Sequence, residues 1–98
     1  MVIVTEPTIE HADDGARGRF FLRRHGERCG SLDYTVAEAV VRIEYVEVLP
    51  AARGSGLGRQ LVAAAVQWAR DTNRKVVPIC SYAGMVLRGD SSMHDVLA

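Results

Sequence analysis

Lysine is nearly absent from this 98-residue sequence: Lys75 is the only one, and the other eleven basic residues are arginines. Twelve acidic residues balance the twelve basic ones, so the formal net charge is zero. The lack of excess charge argues against a protein that binds nucleic acid or an anionic membrane through its whole surface. The planar guanidinium groups suit recognition of phosphate or carboxylate, although a GC-rich gene would give the same bias toward arginine.

Cysteine is also scarce, and long apolar runs are missing. Cys29 and Cys80 form no C-x-x-C pair and have no histidine at metal-ligand spacing, which argues against a disulfide scaffold and a zinc site. No apolar run approaches the roughly 20 residues of a membrane span. The apolar start at residues 1–4 is too short for a secretory signal. We therefore expect a cytoplasmic protein with reduced thiols, no metal and no membrane partner.

The length and composition are those of one soluble domain. Hydrophobic residues make up 48% of the chain and charged residues 24%, and a domain of this size buries well over half of its unfolded surface. We expect a single domain over residues 1–98, with its core at about residues 18–89.

Alternating apolar residues predict a sheet in the first half of the chain. Residues 18–24 and 28–35 flank the turn residues 25–27 and predict a hairpin. Residues 40–49 predict a further strand region, long enough for two strands, with its apolar residues at odd positions. Residues 5–17 contain few apolar side chains and predict an irregular segment without chemistry.

The second half of the chain predicts two helices around a short strand. Apolar residues recur three and four apart from Leu57 to Arg70, which predicts an amphipathic helix. Residues 76–80 predict a short, irregular or splayed strand, because Pro78 lacks an N–H group. Apolar spacing over the next two turns predicts a short helix that ends before Gly89. The fold class is therefore α+β, with a mostly antiparallel sheet, a central amphipathic helix and a short C-terminal helix.

The densest signal lies between the long strand and the first helix, where residues 49–58 read LPAARGSGLG. One glycine suffices for a strand-to-helix turn, and each further glycine in a helical first turn costs up to about 1 kcal/mol. Three glycines in five residues indicate an anion site, in which bare N–H groups and the helix N-terminus approach a phosphate and Arg53 adds a guanidinium. A simple turn is the alternative.

Two common phosphate loops are excluded by the residues that follow. A P-loop requires Lys and then Ser or Thr after its last glycine, whereas Arg59 and Gln60 stand there. A Rossmann fingerprint would require glycine at position 59, and no strand-helix-strand unit opens this chain.

The loop instead resembles the Arg-x-x-Gly-x-Gly pattern of the GNAT acetyltransferase superfamily, with Arg53, Gly56 and Gly58 at its fixed positions. After the short strand, Cys80-Ser81-Tyr82 is similar to the Cys-x-Tyr of minimal, single-domain GNAT-like proteins. The predicted order of elements over residues 18–89 is similar to a GNAT core without its first helices. The resemblance implies a minimal GNAT-like acyl-CoA N-acyltransferase fold.

The resemblance implies an N-acetyltransferase that binds acetyl-CoA and transfers the acetyl group to an amine, on a small molecule or a protein. The pyrophosphate would lie on N–H groups of the loop, and the pantetheine arm would run between the strands at residues 45–48 and 76–80. The cofactor-binding residues so implied are Val46, Val48, Arg53, Gly54, Ser55, Gly56, Leu57 and Gly58. A non-catalytic acyl-CoA-binding or protein-interaction module is the alternative, since the missing helices usually build the acceptor site. We expect a monomer or a weak dimer.

Glu47 is the first candidate for the catalytic base. An amine with a pKa near 10.4 is only about 0.04% neutral at pH 7, which corresponds to a cost of about 4.6 kcal/mol. Glu47 interrupts the apolar odd-numbered positions of its strand, and a half-buried carboxylate would have a raised pKa suited to proton abstraction. Alternatively, Glu47 points to solvent at the strand end, or a bulge reverses the alternation.

Cys80 and Tyr82 are the other catalytic candidates. Cys80 could form a transient acetyl-thioester, because the N-terminus of the following helix would favour its thiolate. It could also line the acyl slot or be a small buried hydrophobic residue. The resemblance implies that Tyr82 donates a proton to the leaving CoA thiolate, whereas its spacing with Met85 and Leu87 is equally typical of a core residue.

Overall fold

The computed structural model describes residues 7–98, so the apolar start at residues 1–4, interpreted above as too short for a signal, lies outside the described residues. Five strands and two α-helices follow each other as β1 (Thr8–Asp13), β2 (Arg17–Arg24), β3 (Glu27–Ala37), β4 (Val40–Val48), α1 (Leu57–Asp71), β5 (Lys75–Pro78) and α2 (Ser81–Gly89). Short 3-10 segments cover Pro50–Ala52 and Ser91–Val96. The predicted α+β class is confirmed.

The strands form one sheet in the order β1-β2-β3-β4-β5. The first four run antiparallel, and α1 carries the chain over to β5, which pairs parallel to β4. The hairpin between β2 and β3 turns on His25 and Gly26, which both have positive φ, as two-residue hairpin turns require. The hairpin and both helices that the sequence predicted are present in the structure.

Strand β1 corrects the prediction that residues 5–17 are irregular. Residues Thr8–Asp13 pair antiparallel with β2 along their whole length. Most of their side chains are exposed, so the strand lacks the apolar alternation by which a strand is recognised. The ring of His11 stacks on the ring of Phe20, with 4.0 Å between the centroids. An edge strand held by backbone pairing, by the ring contacts of one histidine and by polar side-chain bonds leaves little trace in the hydropathy pattern.

The core lies between one face of the sheet and the helices. It is made mainly by alternate strand residues and the apolar stripe of α1: Phe20, Leu22, Leu32, Tyr34, Val41, Ile43, Leu61, Val62, Ala65, Val66 and Ala69. Met93 and Val96 of the last 3-10 segment are also buried in it, beyond the residues 18–89 that the sequence indicated. Alternate strand residues carry charges that pair with each other, as Arg19 does with Asp33. None of the helices within residues 7–98 has the length and hydropathy of a membrane span.

A bulge divides β4 into two halves. Asp33 pairs with Tyr45 and Tyr34 pairs with Ile43, so Glu44 is an extra residue on β4. An extra residue reverses which side chains face the core. Before the bulge the odd position Ile43 is fully buried, whereas after it Tyr45 is 52% exposed. The prediction that the odd positions of residues 40–49 form one apolar face is therefore wrong after the bulge, at Tyr45.

Strands β4 and β5 part at the bulge. Their pairing ends with Ile43 opposite Pro78. The next two N–H groups, of Ile79 and Cys80, both donate to the Ile43 carbonyl, at 2.9 and 3.0 Å, and the chain then enters α2. The splayed strand that Pro78 predicted is present, and residues 44–48 have no strand partner on this side among the described residues.

Candidate functional site

A cavity of about 580 Å³ opens where β4 has lost its β5 partner, between the second half of β4, the loop after it and the start of α2. We call it the loop cavity. Its walls are formed by Tyr45, Val46, Glu47, Val48, Ala52, Arg53, Gly54, Gly56, Leu57, Gly58 and Tyr82. A strand edge and a helix N-terminus thus face one space, which suits a ligand that carries both amide and anionic groups.

The loop presents backbone rather than side chains to the loop cavity. Gly54 and Gly56 have φ of 85° and 77°, in the left-handed region that favours glycine. No atom lies within 4 Å of a Cβ built on either residue, so the space above them is open. Gly56 is the N-cap of α1 and has no capping side chain. The first N–H groups of α1 therefore remain available to an anion.

Two side chains hold the loop in shape. The Nε of exposed Arg53 donates to the Val48 carbonyl at 2.9 Å, which fixes its guanidinium to the end of β4. The hydroxyl of Ser55 donates to the Ala52 carbonyl at 2.8 Å, and Ser55 is not part of the cavity wall. Ala52 is buried and anchors the 3-10 turn. Within the loop, Arg53 offers a cation at the rim, while Ser55 closes the turn.

The second half of β4 contributes side chains of alternating character. Val46 and Val48 pack against the core, whereas Tyr45 and Glu47 are exposed on the other side of the strand. The Tyr45 hydroxyl donates to Glu47 Oε2 at 2.9 Å. This hydrogen bond, followed by the charge of Glu47, raises the pKa of Tyr45. Of the alternatives that the sequence left open for Glu47, the structure shows the reversed alternation: the bulge at Glu44 turns its side chain to solvent, so the carboxylate is not half-buried.

The start of α2 brings one of its two candidate residues to the loop cavity. Cys80 is the N-cap of α2, directly before the helix, as the sequence predicted. Its side chain is half-buried beside the core and does not line the loop cavity. Tyr82 does line it. A Cβ built on Gly58 would lie 2.7 Å from the Tyr82 hydroxyl oxygen, so the two residues are in close contact.

The structure brings most of the sequence-predicted site residues to one place. Val46, Val48, Arg53, Gly54, Gly56, Leu57, Gly58, Glu47 and Tyr82 share the loop cavity, while Ser55 and Cys80 do not line it. Sequence reasoning missed Ala52, and it included Tyr45 only within the strand at residues 45–48, not among the named cofactor-binding residues. The signal for Tyr45 was the charged Glu47 two positions later, since two residues apart on a strand share a face. Ala52 left no signal, because a small buried residue in a turn has no recognisable pattern.

A comparison with protein families matches residues 19–96 to the GCN5-related N-acetyltransferase family. A protein from Staphylococcus aureus described as a GCN5-like N-acetyltransferase has a similar structure, with a TM-score of 0.74 and 24% identity over 97% of this chain and 91% of that one. A protein from Desulfovibrio desulfuricans described as a GNAT acetyltransferase has a TM-score of 0.61 and 24% sequence identity. The match covers 64% of this chain and 43% of that one. An aminoglycoside N-acetyltransferase in complex with CoA has a TM-score of 0.59 and 23% sequence identity. The match covers 66% of this chain and 56% of that one.

These structural likenesses concern the fold, because the identities are low. The chain matches less than half of the Desulfovibrio protein and 20% of a tandem GNAT protein from clavulanic acid biosynthesis, but most of the Staphylococcus protein. A comparison of the sequence with curated proteins found no match. The family match runs from β2 to the last 3-10 segment and so includes the parted strands and the glycine loop. The chain therefore belongs to the GCN5-related N-acetyltransferase family.

Proposed function

We propose that this protein binds acetyl-CoA or a related acyl-CoA in the loop cavity and transfers the acyl group to an amine. One observation carries the proposal: a single cavity joins a loop of bare N–H groups to a strand edge left without a partner. Acyl-CoA has matching parts, with a pyrophosphate for the loop and an amide-bearing pantetheine arm for the strand. The aminoglycoside N-acetyltransferase of similar fold, which is in complex with CoA, supports the choice of ligand.

The residues of the loop fit a pyrophosphate. The open space above Gly54 and Gly56 lets a phosphate approach the backbone without meeting a side chain. The N-terminus of α1 contributes roughly half a positive charge from its aligned peptide dipoles. Arg53 adds a guanidinium that is already oriented by the Val48 carbonyl. Together these groups offer both directed hydrogen bonds and positive charge.

The second half of β4 fits the pantetheine arm. Antiparallel pairing with β3 uses the N–H and C=O groups on one edge, and the parting of β5 leaves the other edge free. Free backbone groups of a strand bind an extended chain of amides by adding it as a further strand. Val46 and Val48 would supply the apolar contacts along the arm, and the acyl end would lie toward the fork at Ile43.

Glu47 is the proposed base for the amine. Its carboxylate lies on the exposed side of β4, where an acceptor can reach it from solvent. The Tyr45 hydroxyl donates a hydrogen bond of 2.9 Å to the Glu47 carboxylate. Glu47 would accept the proton of the ammonium group, after which the amine nitrogen attacks the thioester carbonyl carbon. The carbon–sulfur bond breaks, the nitrogen loses its second proton as it becomes an amide, and the sulfur leaves as a thiolate that takes up that proton.

The binding half of the proposal is tested by thermal unfolding with and without saturating acetyl-CoA. A ligand at a hundred times its dissociation constant adds about 2.7 kcal/mol, which should raise Tm by on the order of 10 °C in a domain this small. Gly56→Glu should abolish the shift, because it places a side chain and a negative charge in the loop. Gly26→Glu is the matched control, since Gly26 has the same φ of 77° and equally open space but lies in the β2–β3 turn.

Two results would contradict binding at the loop. The absence of a shift in the wild type would exclude acyl-CoA as the ligand. Equal shifts in the Gly56→Glu and Gly26→Glu proteins would place the ligand elsewhere on the molecule.

The transfer half is tested by acceptor-dependent release of free CoA. We expect a panel of amines to include acceptors that accelerate release above hydrolysis, and Glu47→Gln to slow that release about a hundredfold or more. Binding of acetyl-CoA without acceptor-dependent release by any amine would instead favour a non-catalytic acyl-CoA-binding module.

A further inference from the structure

The three glycines of the loop are glycine for different reasons. Gly54 and Gly56 have positive φ and open space, so their backbone conformation requires them. Gly58 has no positive φ and lies buried in the first turn of α1, where alanine would suit the backbone better. A Cβ there would lie 2.7 Å from the Tyr82 hydroxyl oxygen, 3.0 Å from Cζ and 3.1 Å from Cε2. The neighbour that excludes a side chain at position 58 is therefore Tyr82.

The Tyr82 hydroxyl is placed to bind a ligand. The ring is half-buried beside the core, and its hydroxyl end reaches the first turn of α1. The hydroxyl has no hydrogen-bond partner among residues 7–98, and it is not buried away from the cavity. It lies in the wall of the loop cavity, next to the free N–H groups of the helix. A phenol in this position can donate to an anionic oxygen that binds the same N–H groups.

We propose that Tyr82 is a cofactor-binding residue whose hydroxyl donates to an anionic or carbonyl oxygen of acyl-CoA at the N-terminus of α1, and that residue 58 is glycine to admit Tyr82. The identity of the ligand rests on the proposed function. This role differs from that of a proton donor to the leaving thiolate, because the hydroxyl contacts the loop end of the cavity. The two helices would then be joined through the ligand: α1 offers its N–H groups and α2 offers the hydroxyl.

The contact is tested without ligand by a thermal unfolding cycle. The four proteins are the wild type, Gly58→Ala, Tyr82→Ala and the double variant. We expect Gly58→Ala to lower Tm by roughly 5 °C in the wild type, because the methyl group displaces Tyr82, and to leave Tm unchanged or higher in the Tyr82→Ala protein, because alanine favours a helix. Gly89→Ala is the control, since nothing lies within 4 Å of a Cβ there. Equal changes of Tm in both backgrounds would overturn the contact.

The role of Tyr82 is tested by the dissociation constant of CoA, measured by titration calorimetry on the same proteins and on Tyr82→Phe. We expect Tyr82→Phe to weaken binding about tenfold, as loss of a hydrogen bond to a charged group predicts. Gly58→Ala should weaken it to a similar degree, and should have no further effect in the Tyr82→Ala protein. Tyr82→Phe keeps the ring, so it tests the hydroxyl even if Tyr82→Ala folds poorly.

Three outcomes overturn the proposal in distinguishable ways. Unchanged affinity in both Tyr82 variants would show that the hydroxyl does not contact the ligand. A full loss from Gly58→Ala in the Tyr82→Ala protein would show that the methyl group obstructs the ligand directly. A wild type that does not bind CoA would overturn the proposed function and the role of Tyr82 with it, while the unfolding cycle would still decide why residue 58 is glycine.

Discussion

Two tyrosines of this protein lie against a glycine, and they differ in what their hydroxyl groups contact. A Cβ on Gly18 would overlap the Tyr34 hydroxyl oxygen, just as one on Gly58 would lie only 2.7 Å from that of Tyr82. The Tyr34 hydroxyl is held by two partners: it donates to Asp13 Oδ2 at 2.5 Å and shares a hydrogen bond with His11 Nε2, also at 2.5 Å. The Tyr82 hydroxyl faces the loop cavity instead.

The difference separates a structural residue from a candidate binding residue. Tyr34 is 1% exposed, and its partners on β1 satisfy its polar end, so it ties the edge strand to the core. Tyr82 is half-buried, and its polar end lies beside free helix N–H groups. A hydroxyl bonded within the fold stabilises it, whereas one at a cavity wall that has no partner in the described part of the chain is available to a ligand. Four experiments would break or sharpen this comparison.

The largest effect is expected from Gly18→Ala. The added methyl group would meet both the Tyr34 hydroxyl and the Ala12 carbonyl oxygen, at 2.6 Å, and the β1 backbone cannot move away without losing its pairing with β2. We expect a loss of about 2–3 kcal/mol and a Tm lower by more than about 10 °C by calorimetry. Gly89→Ala, where the methyl group meets open space, should change Tm little. A Gly18→Ala protein as stable as wild type would show that the Gly18–Tyr34 contact is not rigid.

Removing the two hydroxyl groups should have unequal effects. Tyr34→Phe leaves Asp13 and His11 without their shared partner, and we expect it to cost about 1–2 kcal/mol. Tyr82→Phe should cost less than about 0.5 kcal/mol in the absence of ligand, because no hydrogen bond within the described part of the chain is lost. Urea unfolding of both variants would measure the difference. Equal losses would contradict the division between a structural and a binding tyrosine.

Acid should lower the stability of the fold through the two partners of Tyr34, His11 and Asp13. Burial lowers the pKa of His11, and the hydrogen bond from Tyr34 lowers the pKa of Asp13. Because both values are lower in the folded state, the unfolded chain binds protons more readily, and stability is lost as the pH falls below 6.5 for His11 and below 3.8 for Asp13. We expect Tm to fall by a few degrees from pH 7 to pH 5. The fall should be smaller in His11→Gln, and an equal fall would assign it to other groups.

The smallest effect is expected from Cys80→Ala. Cys80 caps α2 with its backbone and does not line the loop cavity. We therefore expect the variant to bind CoA with an affinity within about twofold of wild type, measured by calorimetry, and to lose little stability. A larger loss of affinity would mean that α2 contributes to the site through Cys80 as well as through Tyr82. Intact mass after rapid quenching with acetyl-CoA would test separately whether Cys80 carries an acetyl group.

The sequence predicted the elements that have a regular apolar spacing or a high density of glycine. The β2–β3 hairpin, α1, the short α2 and the glycine loop were all recognised, because apolar spacing and glycine density report local structure directly. Strand β1 was missed because its exposed residues show no alternation. The sequence left open whether Glu47 is half-buried or turned outward by a bulge, because a strand pattern carries no mark of the extra residue Glu44. Burial on the far side of a bulge depends on the register with the neighbouring strand.

The sequence by itself determined the class of fold, the loop of bare N–H groups at the start of α1 and the parting of the strands at Pro78, because glycine and proline act on their own backbone. Only the tertiary structure decided which side chains meet. It turned Tyr45 and Glu47 outward, left Cys80 out of the cavity wall and set Tyr82 against Gly58. The physical reason is that these contacts join residues from different elements, and the distance between them is fixed by sheet register and helix packing rather than by local spacing.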